Sequence, residues 1–134
     1  MSWRAEVLIG GRTDGTVLRL DEPVSFWGGV SPETSEVVLA GHPQRGERIA
    51  GKILVLPRPI GSSSSASVIL ELLYQGLAPR ALILGARDAI LPIGVLAARQ
   101  MDWNVIPVLA MAAPPFRTGD ALQIHEDGAI EAGS

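Results

Sequence analysis

Five of the six residues from position 62 to 67 are serines, and a glycine precedes them: Gly61-Ser62-Ser63-Ser64-Ser65-Ala66-Ser67. The run follows the apolar stretch Ile53-Leu54-Val55-Leu56 and leads into Val68-Ile69-Leu70-Glu71-Leu72-Leu73. That context predicts a strand, a tight loop and the start of a helix. A helix N-terminus presents unpaired backbone N–H groups and a partial positive charge. Serine hydroxyls around the same point add donors, so the loop is suited to hold an anion. The same field stabilises an alkoxide and so lowers the pKa of a serine hydroxyl. A plain N-cap is the competing reading, but one serine is enough for a cap.

The second unusual block is Ser25-Phe26-Trp27-Gly28-Gly29-Val30. Aromatic residues make up only 4% of the chain, yet two of them stand together before a glycine pair. Glycines there permit positive φ or close approach by another chain. The block reads either as an aromatic plug beside a turn or as a rim facing substrate or a partner. Arg58, just before the serine loop, is a candidate partner for a substrate carboxylate, against a plain surface ion pair. His42, in Gly41-His42-Pro43, reads as a turn residue, with a place at the cleft as the other reading. His125 and Lys52 read as solvated, and Glu71 as a solvated helix position rather than a base.

The whole chain bounds the class. Its 134 residues suit one domain with an ordinary core, spanning residues 1–134. With 47% hydrophobic and 19% charged residues the chain is globular. A net charge of -3 and the lack of a basic run argue against a nucleic-acid surface. The absence of cysteine rules out disulfides and thiolate metal ligands in this chain, and the two histidines lie far apart. No apolar run reaches the roughly 18 residues that a membrane span requires. The start of the chain lacks a signal-peptide pattern, so a cytoplasmic location is expected.

The elements that must position these residues are short. Val7-Leu8-Ile9 and Thr16-Val17-Leu18-Arg19-Leu20 read as strands joined by a turn at Thr13-Asp14-Gly15. Further strands are expected over residues 36–40, 49–56 and 81–84, and near a strand end or sheet edge over 105–109, because of Pro107. Helices are expected over 64–75, with Ala66, Leu70, Leu73 and Leu77 as its apolar face and Gly76 as its stop, and over 92–100. The tail reads as a hairpin turning at Glu126-Asp127-Gly128. Alternating strands and helices in the middle predict parallel pairing with right-handed crossovers. The expected fold is α/β, with a parallel central sheet, a second β layer and a helical layer.

The blocks Ser25-Phe26-Trp27-Gly28-Gly29-Val30, Gly41-His42-Pro43, Gly51-Lys52-Ile53-Leu54-Val55-Leu56-Pro57, Gly61-Ser62-Ser63-Ser64, Ala78-Pro79 and Ile106-Pro107-Val108, taken together, resemble the small, swivel-domain subunit of the aconitase X family. The resemblance runs from about Gly10 to Leu109. It implies a swivelling β/β/α domain that closes on a large subunit, which carries an iron or iron–sulfur centre on its cysteines, with none bound by this chain. Together the two subunits eliminate water from a small hydroxy acid. Family members include cis-3-hydroxy-L-proline dehydratases and mevalonate 5-phosphate dehydratases.

The resemblance further implies that Ser62 is the base that removes the substrate α-proton and that Ser63 hydrogen-bonds a substrate carboxylate. Gly61, Ser64 and Arg58 complete the implied substrate-binding set, with Phe26, Trp27, Gly28, Gly29 and His42 at the cleft or subunit interface. The sequence departs from the family at three points. Ser64 stands where aconitase-type loops carry a carboxylate-clamping arginine, Ile60 stands where relatives have arginine, and Ser31 stands where they have aspartate. The expected function is a hydro-lyase subunit, inactive without its large subunit. Scarce basic residues near the loop point to cis-3-hydroxy-L-proline, with mevalonate 5-phosphate as the alternative substrate. A non-catalytic anion-binding swivel module is the second reading. A phosphocarrier swivel domain is the third, and His42 in Gly-His-Pro fits that poorly.

Overall fold

The computed structural model describes residues 1–58, 63–87, 90–103 and 105–133. Among these the parallel strands are the most apolar elements. β4 (Ile53–Leu56), β5 (Ala81–Leu84) and β6 (Val108–Ala110) are buried at every position, as strands covered on both faces must be. β3 (Thr13–Arg19) pairs parallel to β4 through Val17–Arg19 and antiparallel to β7 (Ala121–Ile124) through Thr13–Thr16. It therefore belongs to both halves of an eight-stranded sheet ordered β1-β8-β7-β3-β4-β5-β6-β2. The remaining strands are β1 (Ser2–Arg4), β2 (Glu6–Ile9) and β8 (Ala129–Ala132).

Side-chain alternation along the parallel strands creates two cores. Ile53, Val55, Ala81, Ile83 and Leu109 pack with Leu122, Ile124 and Ile130 of the antiparallel half and with Phe116. Leu54, Leu56, Leu82, Leu84 and Val108 pack on the other face against Val68, Ile69 and Leu72 of α2 (Ser63–Gln75) and Leu91 and Val95 of α3 (Ile90–Gln100). The result is the expected β/β/α layering. Gly76 ends α2 with φ of 74°, and Leu77 N–H returns to the Leu72 carbonyl at 2.9 Å. The tail forms the expected hairpin of β7 and β8.

Several local expectations are corrected. Thr13-Asp14-Gly15 is not a turn but the start of β3, and β2 pairs with β6 rather than with β3. Glycine suits this strand interior because the Arg80 Cδ lies 3.1 Å from where a Cβ at Gly15 would sit. Residues 36–40 form only isolated bridges, Val30 with Val37 and Glu36 with Arg48. Residues 49–52 do not extend β4, because Gly51 takes a φ of 72°. α3 starts before Pro92, which sits in the first turn, where no intrahelical N–H bond is lost. The strand expected over 105–109 covers only Val108–Ala110; of the two places expected for Pro107 it takes the strand end and not the sheet edge, with its carbonyl accepting Leu82 N–H at 3.0 Å. The buried face of α2 runs through Ser65, Val68, Ile69 and Leu72, while Ala66, Leu70 and Leu73 flank it half-buried. The helix meets both the sheet and α3, so its buried arc is centred between them and not on the stripe of largest residues.

Ser35 is strained. Its φ is 68°, it is fully buried, and its hydroxyl has no hydrogen-bond partner among the described residues. Ser35→Gly is expected to raise stability by about 1 kcal/mol, because it removes a left-handed non-glycine residue and an unsatisfied hydroxyl. A urea titration of the purified chain checks this, and an unchanged or lower midpoint would contradict it.

Candidate functional site

Parallel strands joined by helices place the strand carboxyl ends and the helix N-termini at one edge, the usual place for a ligand crevice. β4 ends at Leu56 and leads through Pro57 and Arg58 toward α2, while β5 ends at Leu84 and leads through Gly85, Ala86 and Arg87 toward α3. Among the described residues neither α2 nor α3 has an acidic residue in its first turn. Gly61 and Ser62 lie outside the described residues, as does Ile60. Ser63 is the first residue of α2.

The other serines divide by role. Ser65 is fully buried, and its hydroxyl lies 3.2 Å from the Ser25 hydroxyl. Ser67 donates to the Ser64 carbonyl at 2.8 Å, a local bond within the first turns of the helix. Ser64 is exposed. Two of the five serines thus serve the fold.

Arg58 is exposed and has no hydrogen-bond or ion-pair partner among the described residues. Two other arginines at this edge are engaged. Arg19 donates to the Pro114 and Phe116 carbonyls at 2.7 and 3.0 Å and lies 3.4 Å from Asp21. Arg87 meets both Glu6 carboxylate oxygens, at 2.6 and 2.7 Å. The hydrogen bond from Arg87 holds the Glu6 carboxyl below the usual glutamate range, and the Arg87 guanidinium is held above its own. Glu6 is paired across to Ala110 at the carboxyl end of β6, so the ion pair ties the β5–α3 connection to the edge strand. Nothing in the local sequence around Glu6 or Arg87 signalled this pair, because its members are 81 residues apart.

The aromatic block splits between the two readings. Phe26 is fully buried, whereas Trp27 is 64% exposed. They lie in α1 (Phe26–Gly29), a single turn whose Trp27 and Gly28 are non-helical. Gly28 has φ of 81° and open space where a Cβ would be, whereas a Cβ at Gly29 would collide with the Val24 side chain. Trp27→Ala is therefore expected to change stability by less than about 0.5 kcal/mol, as surface substitutions do. Gly28→Ala is expected to cost about 1 kcal/mol, because its φ disfavours any Cβ. Thermal melts of both variants check the pair of values, and a large loss for Trp27→Ala would return the indole to the core.

His42 is buried, and both ring nitrogens are used. Nδ1 accepts the Gln44 N–H at 3.0 Å, and Nε2 donates to the Glu22 carbonyl at 2.9 Å. It pins two loops together. His125 is half-buried with Nε2 3.4 Å from Glu131. It lines a groove of about 290 Å³ with Arg12 and Asp14 near the start of β3, away from the carboxyl ends of the parallel strands. Lys52 is exposed, and so is Glu71, whose carboxylate accepts from Gln75 at 2.9 Å. Among the described residues no group of three or more His, Cys, Asp or Glu side chains is placed to hold a metal, and no helix is long and apolar enough to cross a membrane.

Comparison with known proteins extends the resemblance to nearly the whole chain. Residues 2–132 match the family described as the aconitase X swivel domain. The phosphomevalonate dehydratase small subunit of Thermococcus kodakarensis is 41% identical over 132 residues, covering 98% of this chain and 96% of that protein. The cis-3-hydroxy-L-proline dehydratase of Hypocrea jecorina is 38% identical over 114 residues, covering 85% of this chain. This chain spans only 19% of that enzyme, and 22% of the enzyme of the same name from Pseudomonas aeruginosa. The crystal structure of Thermococcus kodakaraensis aconitase X in its holo form superposes with a TM-score of 0.89 at 32% identity, covering 100% of this chain and 99% of that one. With that length of match in both sequence and fold, the chain belongs to the aconitase X family and forms its swivel domain.

Proposed function

We propose that this chain is the small subunit of an aconitase-like hydro-lyase, that Ser62 is its proton-abstracting base, and that the substrate is cis-3-hydroxy-L-proline. The observation that carries the substrate reading is the charge at the strand edge. Arg58 is unpaired there among the described residues, while Arg19 and Arg87 are already engaged. Arg58, next to the serine run in sequence, suits one carboxylate, whereas a phosphorylated substrate calls for more positive charge near the loop.

The chain's own part in the reaction is proton handling and anion binding. Arg58 pairs with the substrate carboxylate, and Ser63 and Ser64 add donors at the first turn of α2. Gly61 lets the backbone turn sharply enough to aim the next hydroxyl. Ser62 Oγ then takes the α-proton. A serine hydroxyl is protonated at neutral pH, so the alkoxide must be stabilised at about 1.4 kcal/mol per pKa unit. The α2 N-terminus supplies part of this, and exclusion of water on closure against the large subunit supplies more. The residues of this chain do not fit an iron or iron–sulfur centre, since the sequence has no cysteine. Such a centre is assigned to the large subunit, and the isolated chain is expected to be inactive.

A second reading, phosphomevalonate dehydration, is favoured by the near-complete correspondence with small subunits of that name. Co-expression with the large subunit, followed by assays on both substrates, tests the proposal. Turnover of cis-3-hydroxy-L-proline by the pair alone is expected. Turnover only of phosphomevalonate would move the substrate assignment. A folded complex inactive on both would leave a non-catalytic anion-binding module, and turnover by the small chain alone would refute the two-subunit requirement.

A further inference from the structure

A groove of about 300 Å³ opens at the amino ends of the parallel strands, where Arg80 directly precedes β5 and Pro107 directly precedes β6. Its floor among the described residues is apolar: Leu73 in the last turn of α2, Ala78 just after that helix, and the run Val105, Ile106 and Pro107. Leu73, Ala78 and Val105 are half-buried and pack against the helical core, so the floor is backed by the body of the domain. Two guanidinium groups, Arg12 and Arg80, line the same groove. Arg80 is taken by Asp14: it donates to the Asp14 carbonyl at 3.2 Å and lies 3.6 Å from the Asp14 carboxylate. Arg12 is exposed and has no hydrogen-bond or ion-pair partner among the described residues. It also borders an adjoining groove with Glu126, Asp127 and Glu131 and pairs with none of them. Asp127 lies 3.4 Å from Arg4, and Glu131 lies 3.4 Å from His125. The backbone before Arg12 is held close to the floor, since a Cβ at Gly11 would come within 3.2 Å of the Pro107 ring. The end of α2 also borders the groove, but its Leu72 and Leu73 carbonyls accept the Leu77 and Gly76 N–H groups.

We propose that this groove is a second ligand site, separate from the serine edge, and that it takes a small organic acid: Arg12 pairs with the carboxylate, and the floor of Leu73, Val105 and Pro107 receives the hydrocarbon part. An exposed guanidinium–carboxylate contact by itself contributes little. Burial of a short apolar chain on a preformed floor supplies the rest, and the charge fixes its orientation. Because Asp14 already offsets Arg80, one positive charge is left uncompensated, which suits a single carboxylate better than a phosphate. The inference is independent of the reading of the serine loop, and none of its residues belongs to that loop.

Titration of the isotope-labelled full chain with hexanoate, followed by NMR, tests the site. The amide signals of Gly11, Arg12, Leu73, Val105 and Ile106 are expected to shift together and saturate in the millimolar range, while that of Arg58 stays in place. Arg12→Ala is expected to weaken binding by about tenfold, the factor equivalent to one lost charge-assisted contact, and Arg12→Lys to recover part of it. Arg12 is exposed, so both variants should keep the melting temperature of the wild type. Acetate carries the charge without the chain, and hexanol the chain without the charge. Each is expected to bind about tenfold more weakly than hexanoate or worse. Equal binding by hexanol, or by Arg12→Ala, would overturn the carboxylate contact. Equal binding by acetate would overturn the apolar floor. Shifts confined to Arg58 and the first turn of α2 would move the anion to the strand edge and overturn the second site, as would a titration that never saturates.

Discussion

Ser62→Ala in the assembled enzyme is expected to lower kcat by roughly a hundredfold or more, the usual consequence of removing a general base. Folding, partner binding and substrate binding should persist, because the change deletes a single hydroxyl. Ser64→Ala should lose far less, since Ser64 is exposed. Ser67→Ala should show an effect of the size of a single hydrogen bond, because its hydroxyl bonds to the Ser64 carbonyl. Exchange of the substrate α-hydrogen with deuterated solvent separates base from binder: it should vanish in Ser62→Ala and survive in Ser63→Ala. Near-normal turnover by Ser62→Ala, or abolition of exchange by Ser63→Ala alone, would take the role of base away from Ser62.

Gly85→Ala is expected to destabilise the chain by about 3 kcal/mol or more, the upper range of overpacking, and so to lower its melting temperature by roughly 10 °C. A Cβ at this position would overlap the backbone of Pro57, including its carbonyl group. Gly85 N–H donates to the Leu56 carbonyl at 2.8 Å, so the two strand ends have no slack at this point. The obstacle is backbone rather than a flexible side chain, and β4 or β5 must shift to accommodate it. Pro57 leads directly to Arg58 and the serine loop, so activity of the assembled enzyme should fall further than the loss of folded protein explains. A melting temperature equal to that of the wild type would show that the strand ends part easily.

The two halves of the candidate site were unequally legible. The buried strand before the serine run and the helix after it could be read directly, because buried parallel strands are continuous apolar runs; Gly61 and Ser62 lie outside the described residues. Phe26 and Trp27 could not be told apart. They are adjacent and both aromatic, and only the backbone turn at Gly28 sends one inward and the other outward. The pairing of Ser25 with Ser65 was not visible either, since a serine in a run of serines carries no mark of burial. The apolar face of α2 was placed one position off the buried residues for a related reason: hydrophobic spacing locates a stripe, but the neighbours on both sides decide where its centre lies.

The sequence by itself determined the α/β class, the order of strands and helices through the middle of the chain, the family, and the absence of any thiolate ligand. The class, the element order and the missing ligand follow from local composition and spacing, which act over a few residues; the family follows from the resemblance of the motif blocks. The tertiary structure alone decided that β3 serves both sheet halves, that β2 joins β6 at the far edge, that His42 is a structural clamp, and that Arg87 is occupied by Glu6 while Arg58 has no partner among the described residues. These depend on contacts between residues far apart in the chain. A strand's periodicity is the same whichever neighbour it meets, and an arginine's charge is the same whether or not a distant carboxylate reaches it.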